Sequence, residues 1–158
     1  MKRFVSAVVC AAFVGTATLL AVDGDKAMYV GGTVPGLAEK TEGKLLTTNE
    51  DELSFRPQDK HGSQLEIPYS AITELEYGQK AGRRVAVAVM ISPLALFSKK
   101  GNHYLTISYT DSKGKEQAGV FELGKDIVRT TLKVVETRSG KEIKYQDDEA
   151  RKSIGGGK

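Results

Sequence analysis

The segment whose spacing comes closest to known chemistry runs from Gly119 to Asp126, with the sequence Gly-Val-Phe-Glu-Leu-Gly-Lys-Asp. Its two glycines and lysine have the spacing of a loop whose backbone amides surround a phosphate. Such a loop ends in Ser or Thr, whose hydroxyl binds magnesium, whereas Asp126 would repel phosphate. Residues 120–123 also alternate as in a strand. We therefore interpret the spacing as a coincidence and predict no nucleotide site.

Other residue types that carry catalysis are few and scattered. His61 and His103 lie in turn-like sequence without a second ligand three or four residues away, so we interpret both as solvated loop histidines. Glu74 and Glu76 imitate a pair of catalytic carboxylates, but we assign them to a solvated sheet face. The chain contains one cysteine, which excludes a disulfide framework. We predict no catalytic set, no metal, no cofactor and hence no enzyme.

One long segment is unusual in its charge. Tyr77 to Thr110 contains no acidic residue but five basic ones. Within it, thirteen uncharged residues from Val85 to Phe97 are flanked by basic pairs. As a helix this run would be about 20 Å long, too short for a bilayer core of roughly 30 Å. We call residues 80–100 the basic apolar segment. Its candidate binding residues are Lys80, Arg83, Arg84, Val89, Ile91, Leu94, Phe97, Lys99 and Lys100.

Three interpretations of the basic apolar segment remain open. In the first, it is a hairpin or short helix that packs on the fold and completes the core. In the second, it inserts shallowly into a membrane while its cations meet anionic head groups, at roughly 1 kcal/mol each. In the third, it binds a protein partner or a second copy, since a large exposed apolar patch marks an interface. The second is our leading functional hypothesis and the third is the alternative. The net charge of +3 is too small to predict a nucleic-acid partner.

Length and composition place these residues in one small domain. The chain has 158 residues, of which 40% are hydrophobic and 27% charged, as in a globular domain and unlike a disordered or collagenous chain. Short runs of alternating apolar and polar residues recur, separated by turn signals. Leu53 and Phe55, for example, share one face of a strand. The predicted strands are 27–33, 44–48, 52–56, 65–70, 74–77, 104–109 and 118–123.

One segment has the spacing of an amphipathic helix. Val128, Leu132 and Val135 fall at positions i, i+4 and i+7, which places them on one helical face. Arg138 suits the negative end of the helix dipole, and Gly140 is positioned to end the helix. The sequence therefore predicts a single helix after the last of the seven strands.

The N-terminus has the pattern of a secretory signal. Lys2 and Arg3 precede an uncharged run from Phe4 to Val22, and a short positive start before an apolar stretch is typical of export. We predict cleavage after Ala21, which would leave an exported domain, periplasmic or secreted. Cleavage after Ala17 and retention of the run as an uncleaved anchor are the alternatives.

The chain is thereby divided into three regions. They are a signal peptide at 1–21, a domain at 27–145, and a polar, glycine-rich tail at 146–158 that we predict to be disordered. Within the domain, residues 143–145 are a candidate for one further short strand.

Four segments carry a resemblance to a known fold: Gly43-Lys44-Leu45-Leu46-Thr47, Leu53-Ser54-Phe55, Ile67-Pro68-Tyr69-Ser70-Ala71-Ile72 and Phe121-Glu122-Leu123-Gly124-Lys125. Together with seven antiparallel strands followed by one amphipathic helix, they resemble the pleckstrin-homology (PH) superfold, in particular its GRAM-like and bacterial PH-like variants. The resemblance implies a mainly β fold, a seven-stranded antiparallel barrel or sandwich with one C-terminal capping α-helix. It also implies a binding or scaffold role rather than one particular ligand.

The export prediction is tested by expression in a bacterial host. Intact-mass analysis should show the loss of about twenty residues from the N-terminus, the usual length of a signal peptide. Full-length protein in the membrane fraction would favour the anchor, and full-length protein in the cytosol would contradict export.

Overall fold

The structure is a computed structural model that describes residues 26–59, 61–79 and 102–155. These residues form a mainly β fold of eight strands and two short helices. The strands are β1 (Lys26–Gly32), β2 (Thr41–Leu46), β3 (Glu52–Pro57), β4 (Leu65–Pro68), β5 (Ile72–Gly78), β6 (His103–Thr110), β7 (Glu116–Leu123) and β8 (Ile143–Tyr145). The helices are α1 (Val128–Ser139) and α2 (Asp148–Ser153), and a 3-10 turn at Tyr69–Ala71 joins β4 to β5.

All eight strands belong to one sheet, in the order β4-β3-β2-β1-β7-β6-β5-β8. Neighbours are antiparallel except β8, which pairs in parallel with β5. The prediction of seven antiparallel strands is therefore correct in class and wrong in count and in this one direction. The chain turns back through α1 before β8, so β8 arrives at the edge of β5 in the same direction as β5.

The sheet is strongly curled around its hydrophobic face. Phe55 on β3 and Phe121 on β7 have ring centroids 5.4 Å apart, although two strands, β2 and β1, lie between theirs in the sheet. In a flat sheet those strands would be about 14 Å apart. Both rings are about as buried as side chains become, at 1% and 0% exposure. The core therefore fills the concave side of a half-barrel.

Helix α1 closes the concave side, and it has the predicted register. Val128, Leu132 and Val135 are buried in the main core. Gly140 adopts a left-handed conformation with φ of 67° and donates its amide to the Glu136 carbonyl, which ends the helix as predicted. The helix packs against the 3-10 turn between β4 and β5.

Arg138 fixes the end of α1 to the sheet. Its Nη1 donates to the backbone carbonyls of Thr47 and Asn49 in the β2–β3 connection, and its guanidinium lies 5.5 Å from the centroid of the Tyr69 ring. The sequence predicted only an interaction with the helix dipole. The structure gives Arg138 a larger role, because it joins α1, the β2–β3 connection and the 3-10 turn.

The disordered tail predicted for residues 146–158 differs from the structure, which forms α2 within it. Asp147 caps this helix by accepting the Ala150 amide at 2.7 Å, and acidic residues begin the helix while basic ones end it. Ala150 is fully buried, and Arg151 lies over the Tyr145 ring, 5.3 Å from its centroid. Capping and docking on β8 supply the order that polar composition alone did not reveal.

The packing of α1 generates a stability prediction. Leu132 is 2% exposed, so Leu132→Ala should leave a cavity and lower the free energy of unfolding by about 2–5 kcal/mol. Lys133→Ala on the exposed face of the same helix is the matched control and should change it by only a few tenths of a kcal/mol. Urea denaturation measures both. Equal, small effects would contradict the closing role of α1.

Candidate functional site

The predicted binding residues of the basic apolar segment lie outside the described residues. This holds for every one of them, from Lys80, Arg83, Arg84, Val89, Ile91 and Leu94 to Phe97, Lys99 and Lys100. The structure does describe where the chain enters and leaves the segment. β5 ends at Gly78 and β6 begins at His103. The candidate site is therefore built outward from these two ends.

The strand register places both ends beside the start of β1. Gly78 pairs with Tyr104 across β5 and β6, and His103 pairs with Leu123 at the end of β7. Leu123 in turn pairs with Ala27 on β1. The basic apolar segment is consequently attached to the sheet at the end of the strands where β1 begins and β7 ends.

A cleft of about 790 Å³ opens at this end of the strands. It is lined by the first residues of β1, the middle of β2, the end of β3 and the end of β7. Leu123 and Gly124 contribute to its wall, and so does Pro57. The cleft is thus adjacent in register to both ends of the basic apolar segment.

Three cations are aligned across the wall of the cleft. Lys26 pairs directly with Lys44, and Lys44 pairs directly with Arg56, so the three side chains leave the same face of neighbouring strands. All three are exposed. Like charges placed directly opposite each other on neighbouring strands are destabilising. We call Lys26, Lys44 and Arg56 the cation row, and their alignment concentrates positive charge on one face of the sheet.

Two carboxylates lie one position further along the same face. Met28 pairs with Glu42 on one side and with Glu122 on the other. Glu122 is held by the Asn102 side-chain amide at 2.9 Å and by the Tyr104 hydroxyl at 3.4 Å, which tie it towards β6. The cation row thus forms the more positive part of the cleft.

The sequence did not reveal the cation row. Its members are separated along the chain by 18 and 12 residues and lie in three different strands. Only the register of three strands aligns them. A search for cross-strand pairs of basic residues within predicted hairpins is the signal that would have found Lys44 and Arg56.

His103 is not the solvated loop residue that the sequence predicted. It is the first residue of β6 and is 8% exposed, and its ring stacks on Tyr77. Its Nδ1 is hydrogen-bonded to the Tyr77 hydroxyl, which also lies 3.0 Å from Ser153 Oγ. Ser153 donates to the carbonyl of Ala150 within α2. The four groups form one consistent chain when Nδ1 donates to Tyr77 and Tyr77 donates to Ser153.

The chain of hydrogen bonds links β5 and β6 to α2. The histidine contacts a tyrosine instead of the serine, and the serine proton is used by a backbone carbonyl. Burial raises the pKa of the Tyr77 hydroxyl, and burial, aided by the charge of Lys125, lowers the pKa of His103. Both shifts favour the neutral forms. The network therefore fastens α2 to the end of β5 and β6.

Glu74 and Glu76 are not a solvated pair as predicted. Glu74 forms an ion pair with Lys144 on β8, with a nitrogen–oxygen distance of 3.0 Å. Glu76 is only 4% exposed and accepts a hydrogen bond from the side-chain amide of Gln146 at 3.0 Å. Both carboxylates therefore help to hold β8 at the edge of β5.

The phosphate-loop spacing at 119–126 is a coincidence, as predicted. Residues up to Leu123 form β7, which is paired on both sides with β1 and β6. A loop that binds phosphate needs amides free to face it, whereas these strand amides belong to a hydrogen-bonded sheet. Residues 124–126 are exposed.

Comparison with known proteins adds no function. No protein-family model matches the sequence, and no curated protein matches it. Within residues 26–59, 61–79 and 102–155, no three potential metal-ligating side chains cluster. Neither described helix has the length and apolar character that crossing a membrane requires.

The low pKa of His103 links folding to pH. Since the unfolded histidine has a pKa of 6.5, the unfolded chain binds more protons than the folded one just below that pH. The contribution of His103 to stability is thus complete above about pH 6.5 and is lost as the pH falls towards the lowered folded value. We expect the urea midpoint to decrease from pH 7.5 to pH 5.5.

Two substitutions test the assignment of this pH dependence. His103→Gln should remove most of the decrease, whereas the same substitution at exposed His61 should leave it in place. An unchanged pH dependence in His103→Gln would assign the protons to other groups.

Proposed function

We propose that the chain is an exported, non-enzymatic PH-like binding module that associates peripherally with anionic membrane surfaces. The contact would be made by the cation row together with the basic apolar segment. The signal pattern at 1–21 supports export to the periplasm or the outside of the cell.

The PH-like part of the proposal is supported by the path of the chain. β1 to β4 and β5 to β7 follow one another as two antiparallel meanders, and β1 joins them through β7. The amphipathic helix follows β7 and covers the concave side. This order is the one that the sequence resemblance implies, with β8 and α2 as additions.

A binding role is supported over catalysis by the use of the titratable groups in the described residues. His103 belongs to the network that holds α2, while Glu74 and Glu76 hold β8. Asp111 accepts backbone amides in the β6–β7 turn. These groups have structural partners, and none is presented to the cleft as an acid or base.

The observation that carries the membrane proposal is the position of the cation row. The row lies near the end of the strands at which the chain leaves the sheet for the basic apolar segment and returns from it. A Lys or Arg near an anionic surface is worth about 1 kcal/mol, so three cations joined by five more would give a substantial attraction. Electrostatic attraction is screened over about 8 Å at physiological salt, and insertion of apolar side chains would add a salt-insensitive part.

Liposome co-sedimentation of the processed protein tests the cation row. Vesicles with anionic lipid should bind the protein at low salt and release much of it as the salt rises. Lys26→Gln combined with Arg56→Gln should weaken this binding by about thirtyfold, since two contacts of about 1 kcal/mol each are lost. The matched control is Lys113→Gln with Lys115→Gln, which removes the same charge from the β6–β7 turn and should have little effect.

The basic apolar segment is tested in the same assay. Charge reversal at Arg83, Arg84, Lys99 and Lys100 should abolish the salt-sensitive binding, and Phe97→Ser should reduce what persists at high salt. Circular dichroism shows whether each variant is folded. Folded protein that fails to bind anionic vesicles at low salt contradicts the membrane proposal and favours the alternative, a surface for a protein partner or for self-association.

A further inference from the structure

A second apolar cluster lies on the convex face of the sheet, opposite the main core. Its members are Val30, Tyr104 and Val120, with Met28 packed against them. Successive residues of a strand point to opposite faces. Val120 precedes Phe121 on β7, and Tyr104 precedes Leu105 on β6, and both of those following residues belong to the main core. The second cluster therefore projects away from the concave side.

The convex face is nearly closed to water within the single chain. The side chains of β6 and β7 at its centre are each at most 7% exposed, and they are Tyr104, Thr106, Ser108, Ala118 and Val120. An antiparallel sheet that is packed on one face only normally has a solvated opposite face with exposed polar residues. Burial of this degree therefore indicates that another part of the chain covers the convex face.

The cover does not come from the described helices. Both lie on the concave side, since Leu132 and Val135 of α1 and Ala150 of α2 belong to the main core. Within residues 26–59, 61–79 and 102–155, the second cluster contains side chains of β1, β6 and β7 only. Outside these ranges, the stretches long enough to cover three strands are 1–25 and 80–101.

The ends of the basic apolar segment flank the buried face. Gly78, the last residue of β5, pairs directly with Tyr104, so the chain leaves and returns beside the cluster. The cluster extends from β6 across β7 to β1, a width of about 10 Å. Half of residues 80–101 can extend about 35 Å. The segment is thus long enough to cross the face and come back.

The charges around the cluster favour the same occupant. Glu74 and Glu76 on β5 and Glu122 on β7 share the convex face, since they pair with Ser108, Thr106 and Tyr104 of β6. The uncharged run of the basic apolar segment has basic pairs on both sides, which complement an acidic rim. The alternative stretch reaches β1 through Asp23 and Asp25, whose charges this rim would repel. The cation row lies on β1 to β3, away from these carboxylates.

We propose that the basic apolar segment docks on the convex face of the sheet. Its uncharged run, 85–97, would contact Val30, Tyr104 and Val120, and its basic flanks would meet the acidic rim. The sheet would then be covered on both faces. This inference goes beyond the proposed function, because it concerns the protein in the absence of a membrane. The same apolar side chains cannot contact the sheet and a bilayer at once, so docking would compete with insertion.

Thiol labelling of the full chain without lipid tests the docking. Cys10→Ser removes the native cysteine, and Val120→Cys places a probe at the centre of the face. The probe should react about a hundredfold more slowly than Lys133→Cys on the exposed side of α1. Replacing residues 85–97 with an equally long Gly-Ser linker should remove most of this protection. Leu132→Cys in the main core is the matched control and should stay protected in both chains.

Three results would overturn the proposal. Fast labelling of Val120→Cys in the chain with its native segment would show an open face. Protection that persists with the linker but disappears on removal of residues 1–21 would assign the cover to the N-terminal stretch. Protection that falls on dilution would assign it to a second copy. Vesicle binding is measured separately, so its failure would leave this result unaffected, and the reverse also holds.

A second measurement retains the native segment in case the linker chain does not fold. A nitroxide attached at Ser92→Cys, again with Cys10→Ser, should broaden the methyl resonances of Val30 and Val120 strongly. The methyl resonances of Leu53 on β3 should be affected much less, because β3 lies beyond the proposed contact. Equal broadening of both groups, or none, would contradict docking on this face.

Discussion

The contact between Phe55 and Phe121 determines the shape of the sheet, and most other features depend on that shape. The two rings meet across the concave side although β2 and β1 separate their strands. Room for them is made by Gly43 on β2, the strand next to Phe55, and by Gly119 on β7 itself, two residues before Phe121. A Cβ added at Gly43 would lie 2.7 Å from the Phe55 ring, and one added at Gly119 would lie 3.0 Å from the Phe121 ring. Bulky rings packed beside residues without side chains therefore draw the sheet into a half-barrel.

Curling has a consequence for the rest of the chain. It brings β4 and β5, which are far apart in the order of strands, close enough for a three-residue turn to join them. Helix α1 packs against that turn, and Arg138 connects the helix to the turn and to the β2–β3 connection. The helix thus stabilises the curled form by joining parts of the sheet that backbone hydrogen bonds do not join.

Sequence analysis identified what depends on local periodicity. The alternation of Leu53 and Phe55 and the helical spacing of Leu132 and Val135 were sufficient, because each pattern lies within one element and each apolar face is buried. It named residues 143–145 as a candidate strand, as the structure confirms, but it did not identify the partner. β8 pairs in parallel with β5, which lies about 70 residues earlier in the chain, and such distant pairing leaves no local pattern.

The candidate site depends on distant partners in the same way. Lys26, Lys44 and Arg56 become neighbours through the register of three strands, and no linear pattern records this. His103 was misjudged because its flanking Asn and Gly residues indicate a turn, whereas its burial is set by Tyr77 from the adjacent strand and by α2. The residues predicted for the basic apolar segment lie outside the described ranges, so that part of the site stays a prediction.

The two edges of the sheet are both poor templates for an additional strand. β4 has four residues and ends in Pro68, which has no amide hydrogen to donate, and β8 has three residues with the exposed Lys144 at its centre. Short edges that carry proline or lysine discourage the pairing of strands between molecules. Copies of this domain at high local concentration would therefore not extend one another's sheets through β4 or β8. These two edge strands protect the fold from amyloid-like polymerisation.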